Sequence, residues 1–258
     1  LVLALAADAL GPHRVTGLQL PSRFTSPQSL TDSQALCRSL GVAYHEVPLE
    51  PLHAAVEATL AAHLPGAARP GETTLENAQA RLRALLLMAW VNRAGGLWLN
   101  SSNKTELTLG YGTLYGDLGG GLAPIGDLTK TEVVRLARRD PRIPAAIVDR
   151  VPTAELAPGQ VDPFDYPRIA PLVEALVQGA PRDVLLSMAP ERELAALEAR
   201  IAGAEFKRWQ SPPILKVSEV AFGRGRLVPF THRLRRFSAT PATGLVPGPT
   251  YACVARVG

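Results

Sequence analysis

Over the first two-thirds of the chain, helix-like segments alternate with short apolar, strand-like ones, and Gly or Pro marks most of the breaks. This alternation limits the fold more than any other feature. A helix over 1–10 passes through Gly11-Pro12 to a strand over 15–20. After a loop rich in Ser, Thr and Pro comes a helix over 31–40, stopped by Gly41. A strand over 42–49 and a helix over 53–64 follow, the latter ended by Pro65-Gly66. The longest helix is expected from about Thr74 to Ala94, with Leu82, Leu85, Leu86, Ala89 and Trp90 on one buried face. Gly95-Gly96 closes it, and Leu97-Trp98-Leu99 reads as a short buried strand. Such alternation predicts an α/β fold, a doubly wound parallel sheet covered on both faces. Ligands of these sheets sit at the carboxyl ends of strands, which directs attention to the loops after Leu20 and Leu99.

Past residue 140 the alternation fades into a proline-punctuated loop region over 141–167. A mainly helical C-terminal part is expected, with helices over 169–178 and 191–207. From Ser238 onward the chain is rich in Pro, Gly and Thr. The reading is one domain over 1–236 followed by a poorly ordered tail over 237–258.

Composition narrows the function classes. The 258 residues are 47% hydrophobic and 19% charged, enough to bury a full core. No stretch approaches the roughly 18 unbroken apolar residues of a membrane span, and the apolar opening Leu1–Ala7 lacks the basic flank of a signal peptide. Cys37 and Cys253 match no metal or redox spacing, and the five histidines are scattered, so no structural zinc is expected. Between Glu205 and Arg236 eight Lys or Arg stand against two Glu. A basic end of this kind suits phosphates, nucleic acid or an acidic neighbouring chain, and equally a solvated tail.

Several segments carry groups suited to chemistry, each with a plainer reading beside it. Asn77 and Arg81 lie four apart on the long helix, an amide and a guanidinium suited to an anionic, hydrogen-bonding ligand; they also fit a solvated helix face. Asn100 to Glu106 puts hydroxyls, Ser101 among them, at a strand's carboxyl end before a helix N-terminus, as a nucleotide requires. Glu106 suits magnesium, but Asn103 with Glu106 also has the spacing of a capping box. Residues 110–121 hold six glycines, which permits close approach to a ligand or simply describes a mobile loop. Thr129 and Glu132 fit a second capping box, leaving Lys130 free to meet phosphate.

Together these blocks resemble the synthetase domain of NAD synthetases, adenine nucleotide alpha-hydrolase-like (Rossmann-like) proteins. The resemblance rests on Glu76-Asn77-x-Gln79-Ala80-Arg81-x-Arg83, Asn103-Lys104-Thr105-Glu106, Gly110-Tyr111-x-Thr113-Leu114-Tyr115-Gly116-Asp117 and Thr129-Lys130-Thr131. It resumes at Pro152-Thr153-Ala154-Glu155-Leu156 with Gln160 and Asp162, and at Glu205-Phe206-Lys207-Arg208-x-Gln210. The blocks are closer to the glutamine-using branch than to the ammonia-using one, and Leu114 and Gly121, which replace the Lys and Asp of the latter, fit that placement. The resemblance implies an ATP-dependent ligase that amidates deamido-NAD to NAD through an adenylate, with Mg²⁺ as cofactor. It implies ATP contacts at Ser101, Lys130 and Thr153. Deamido-NAD contacts are implied at Asn77, Arg81, Glu106, Lys207 and Asp117, magnesium at Glu106, and catalytic roles for Lys130 and Glu106. It further implies ammonia from a glutaminase domain, a cytoplasmic homo-oligomer, and neither membrane nor nucleic acid as partner.

The family's Ser-Gly-Gly-x-Asp-Ser pyrophosphate loop is absent, and Leu1–Ala6 resembles the helix that follows it. The expectation is a chain that begins just after that loop, lacks the glutaminase domain and is poorly active alone. A different adenylating amidotransferase of the same superfamily, or a non-catalytic nucleotide-sensing domain, are the competing readings.

Overall fold

The computed structural model describes residues 1–64, 73–223, 225, 226 and 228. The tail over 237–258, Cys253 and most of the basic run beyond Arg226 lie outside the described residues.

Helix α1 (Val2–Leu10) buries Ala4, Ala6 and Ala7 and ends at Gly11, whose positive φ turns the chain toward β1 (Thr16–Gln19). Helix α2 (Pro27–Leu40) starts four residues earlier than the sequence pattern predicts. Ser26 accepts a hydrogen bond from the Ser29 N–H, and Pro27 occupies the first helical position, where its missing N–H costs nothing. Gly41 closes α2 in the left-handed region, and β2 (Ala43–Glu46) pairs parallel with β1 in the register Thr16↔Ala43 to Gln19↔Glu46. Gly17 is required here, because a Cβ on it would come within 2.5 Å of Cys37 Sγ on α2. Both strands are shorter than the expected 15–20 and 42–49.

Helix α3 (Glu50–His63) precedes the long α4 (Thr74–Ala94), whose ends fall where the sequence places them. Its buried face does not. Leu85 is 59% and Met88 45% exposed, while Gln79, Ala80 and Ala84 are buried. Residues 84–91 are all apolar, so spacing alone cannot choose a face; α3 takes Leu82 into an apolar groove with Leu52, Val56 and Leu60. The expected buried strand over 97–99 is reduced to a single parallel bridge, Leu99 to Leu122, with Leu97 exposed.

The remainder is helical: α5 (Lys104–Leu109), α6 (Lys130–Arg139), α7 (Ala145–Asp149), α8 (Tyr166–Gln178), α9 (Arg182–Met188), α10 (Glu191–Gly203) and α11 (Glu205–Arg208). α7 interrupts the expected loop region, α9 has no counterpart in the sequence reading, and the helix expected over 191–207 breaks at Ala204. The architecture is thus mainly helical around a small parallel sheet.

Two cores hold it. One joins α1 and the sheet region to α6 through Ala4, Val15, Leu40, Val42 and Ala137; the other packs α5 against α8, α9 and α10 through Leu107, Val173, Leu185 and Leu194. Beside the second core, the fully buried Lys104 donates to Glu174 at 2.8 Å and to Ser218 at 2.9 Å, and pairs with Asp127 at 3.1 Å. Asp127 also accepts from the Val217 and Ser218 N–H groups, which ties the C-terminal segment to α5.

Candidate active site

Three local devices build the site. Asn103 and Glu106 exchange backbone-to-side-chain hydrogen bonds at the start of α5, and Thr129 and Glu132 do so at the start of α6, so both capping boxes form. The two helix starts are then joined. Lys104 N–H donates to the Leu128 carbonyl and Lys130 N–H to Thr105 Oγ1, at 2.7 and 3.1 Å. Buried Asn100 forms the third device: its amide donates to the Asp117 and Gly119 carbonyls and its Oδ1 accepts from Ser102 N–H, pinning the glycine-rich segment to the loop after Leu99. Gly116 lets that segment lie on α4, since a Cβ there would meet Ala80 Cβ at 2.9 Å.

These elements enclose a cavity of about 910 Å³ that reaches from the carboxyl end of β1 to α11. Asn77, Ser101, Glu106, Asp117, Lys130, Thr153 and Lys207 all line it. Arg81 does not: it projects from α4 beyond the wall and donates to the Leu114 carbonyl at 3.2 Å. On an α-helix successive residues turn by about 100°. The lining positions of α4 are Glu76, Asn77, Ala80, Arg83, Ala84 and Leu87, and Arg81 falls one step past that face.

Glu106 answers to both readings made of it. Its Oε2 accepts from Asn103 N–H as the cap, while its Oε1 accepts from Lys130 Nζ at 3.1 Å, facing the cavity. Lys130 Nζ also lies 5.1 Å from the centre of the Tyr166 ring, and the Tyr166 and Tyr111 hydroxyls donate to the two oxygens of Asp162. Burial, reinforced by Asp162, pushes both phenols up, so they remain donors. Asn77 is oriented by Thr73 and Thr113, and Lys207 Nζ donates to the Gly110 and Gly112 carbonyls. The Thr153 hydroxyl donates to the Gln160 carbonyl and accepts from Glu155 N–H, which shapes the cavity wall.

Asp117 is solvent-accessible but surrounded by cavity walls, and the loss of bulk water around its carboxyl raises its pKa; the hydrogen bond from Thr113 N–H and the charge of Lys207 oppose this. Exclusion of water lowers the pKa of Lys207. Among groups the sequence reading did not single out, Arg150 pairs with Glu155 and donates to Ser26 and Ser29. Burial pushes the Glu155 carboxyl up, but the hydrogen bonds it accepts from Ser26 N–H, the Ser29 hydroxyl and Arg150 outweigh it and hold it below its ordinary value.

Among the described residues no group of three or more His, Cys, Asp or Glu gathers as a metal cage. Glu106, one of several carboxylates in the cavity wall, still fits magnesium, which is commonly held by one or two carboxylates and the substrate's phosphates. No helix among the described residues is long and apolar enough to cross a membrane.

The family profile for NAD synthase matches residues 1–211. The chain belongs to the NAD synthase family. A glutamine-dependent NAD(+) synthetase of Xanthomonas campestris is 41% identical over 244 residues, covering 90% of this chain and 44% of that protein. The chain spans less than half the length of the curated relatives it matches. Among solved structures, an NH3-dependent NAD synthetase of Campylobacter jejuni in complex with nitrate superposes with a TM-score of 0.65 at 27% identity, covering 83% of each chain. A glutamine-dependent NAD+ synthetase of Acinetobacter baumannii in complex with ADP does so at 0.56 and 29%, covering 89% of this chain and 43% of that one. The fold of this NAD synthase family member is therefore of the adenine nucleotide alpha-hydrolase type, as the sequence implies.

Proposed function

We propose that the cavity takes ATP and deamido-NAD together and serves the synthetase half of a glutamine-dependent NAD synthetase. One observation carries the reading: Asn77, Ser101, Glu106 and Lys130, contributed by three separate sequence blocks, line the same cavity. The size of that cavity suits nucleotide ligands.

In the proposed reaction an oxygen of the nicotinate carboxylate attacks the α-phosphorus of ATP, and the bond to pyrophosphate breaks. Ammonia then attacks the acyl carbon, the bond to AMP breaks, and the amide remains after loss of a proton. The obstacle is the approach of an anionic carboxylate to an anionic phosphate, which fixed cationic and donor groups lower. Lys130 is the cation placed for this, at the N-terminus of α6, where aligned backbone N–H groups also favour anions. Glu106 orients the Lys130 ammonium and would hold magnesium, which when bound supplies further charge neutralisation at the phosphates. Ser101 and Thr153 are proposed on the ATP side, and Asn77, Asp117 and Lys207 on the dinucleotide side. Arg81, past the rim, would meet the part of deamido-NAD that projects from this chain's cleft, as in a homo-oligomer with substrate across subunits. Ammonia would come from glutamine hydrolysis in another domain, and the setting would be the cytoplasm.

The test is pyrophosphate release by the full-length product of the encoding gene, supplied with ATP, Mg²⁺, and either deamido-NAD or tRNA. Release that depends on deamido-NAD supports the reading. Release with tRNA alone would move the protein to another adenylating activity, and binding of deamido-NAD without any release would mark a sensing domain.

A further inference from the structure

We propose that Arg83 is an anion-binding residue of this cavity, its guanidinium holding a phosphate oxyanion of one of the two nucleotides. The inference rests on the reading above that the cavity holds nucleotides.

Among the described residues four cationic side chains line the cavity, and three are already engaged. Lys130 is paired with Glu106, Arg150 with Glu155, and the Lys207 ammonium donates to two backbone carbonyls. Arg83 is different. Its Nε donates to the Leu20 carbonyl at 3.0 Å, and neither terminal nitrogen has a hydrogen bond or a carboxylate in ion-pair range among the described residues. It is half-buried, and burial lowers its pKa against the distant pull of Glu155 and Asp117. A half-buried guanidinium with no carboxylate beside it is free to take an anion from the cavity.

Position tells which anion it would take. Arg83 stands on the face of α4 that carries Glu76, Asn77 and Ala80, and the Leu20 contact fixes its Nε just past the carboxyl end of β1, where parallel sheets bind their ligands. The anchored Nε leaves two terminal nitrogens, four N–H donors, for a planar two-point grip on phosphate oxygens. A lysine there would offer only a point charge. Both ATP and deamido-NAD carry phosphates, and the choice between them is open to measurement.

The experiment is calorimetric binding of ADP, deamido-NAD and adenosine to the full-length product of the encoding gene, with R83Q and R83K variants whose folding is checked by circular dichroism. R83Q is expected to weaken ADP or deamido-NAD by about tenfold or more, as loss of charge-assisted hydrogen bonds does, and to leave adenosine unchanged. Loss confined to ADP places Arg83 on ATP; loss confined to deamido-NAD places it on the dinucleotide. R83K keeps the charge but not the fork, and is expected to lose about threefold or more. That loss decides the matter if R83Q does not fold. Wild-type affinity for both phosphorylated ligands in every folded variant would overturn the role of Arg83 alone. A wild-type protein that binds neither ligand would overturn the nucleotide reading as well.

Discussion

Glu106 Oε1 accepts a hydrogen bond from Lys130 Nζ at 3.1 Å while the other oxygen of the same carboxylate caps α5. Capping and chemistry are therefore not alternatives at this position. The cap fixes the carboxylate, the carboxylate fixes the lysine, and both face one cavity.

This predicts a separation of effects in Glu106→Gln. The amide oxygen can still accept from Asn103 N–H, so stability should fall by no more than about 1 kcal/mol. Charge at the cavity is lost, and pyrophosphate release dependent on deamido-NAD should drop by about 100-fold or more. Chemical denaturation and steady-state assay of the same variant check both halves. A purely structural glutamate would show the stability loss with turnover intact.

Arg81→Ala should act on one substrate. With the side chain past the cavity rim, the KM for deamido-NAD is expected to rise by about tenfold, with kcat and the KM for ATP near wild type. Unchanged kinetics would leave Arg81 only its bond to the Leu114 carbonyl.

Lys104 belongs to the same sequence block as Glu106, yet it is wholly buried against Asp127. Lys104→Met should destabilise the fold by about 3–5 kcal/mol, because it leaves a buried carboxylate without its cation. Urea denaturation of the variant measures this. A cost under about 1 kcal/mol would mean that the backbone N–H groups of Val217 and Ser218 suffice to hold Asp127.

Asp117 makes a pH-dependent prediction. Its pKa in the fold is raised by loss of water around the carboxyl, so the folded state holds that proton more tightly than the unfolded chain does. Its contribution is favourable below the ordinary carboxylate range and is lost as pH rises through the raised value. Asp117→Asn can keep the hydrogen bond from Thr113 N–H without the charge. The melting temperature of the variant relative to wild type should therefore climb as pH rises from the ordinary carboxylate range through the raised value. A difference that stays flat as pH rises above the ordinary carboxylate range would contradict the shift.

Much of this was legible in the sequence because local signals and tertiary structure agree. Thr74 to Ala94 reads as a helix and is one, and Asn103, Glu106, Thr129 and Glu132 announce the caps they form. The face of α4 was not legible, since an apolar run over 84–91 satisfies helical spacing in several directions. The role proposed for Arg83 was not legible either. The residue belongs to the block Glu76-Asn77-x-Gln79-Ala80-Arg81-x-Arg83, but that it shares the cavity face of Glu76 and Ala80 shows only once the cavity is seen. The segment over 97–99 is apolar enough for a strand, but only Leu99 finds a partner, at Leu122, and pairing of that kind depends on where a distant segment lies.

The most direct test of the convergence of these residues is a crystal structure of the full-length gene product with deamido-NAD and a non-hydrolysable ATP analogue. The account predicts both ligands in the cavity, with the phosphates of the analogue against Ser101 and Lys130 and the dinucleotide reaching Asn77. Ligands bound on another face, with Glu106 and Lys130 touching neither, would contradict it.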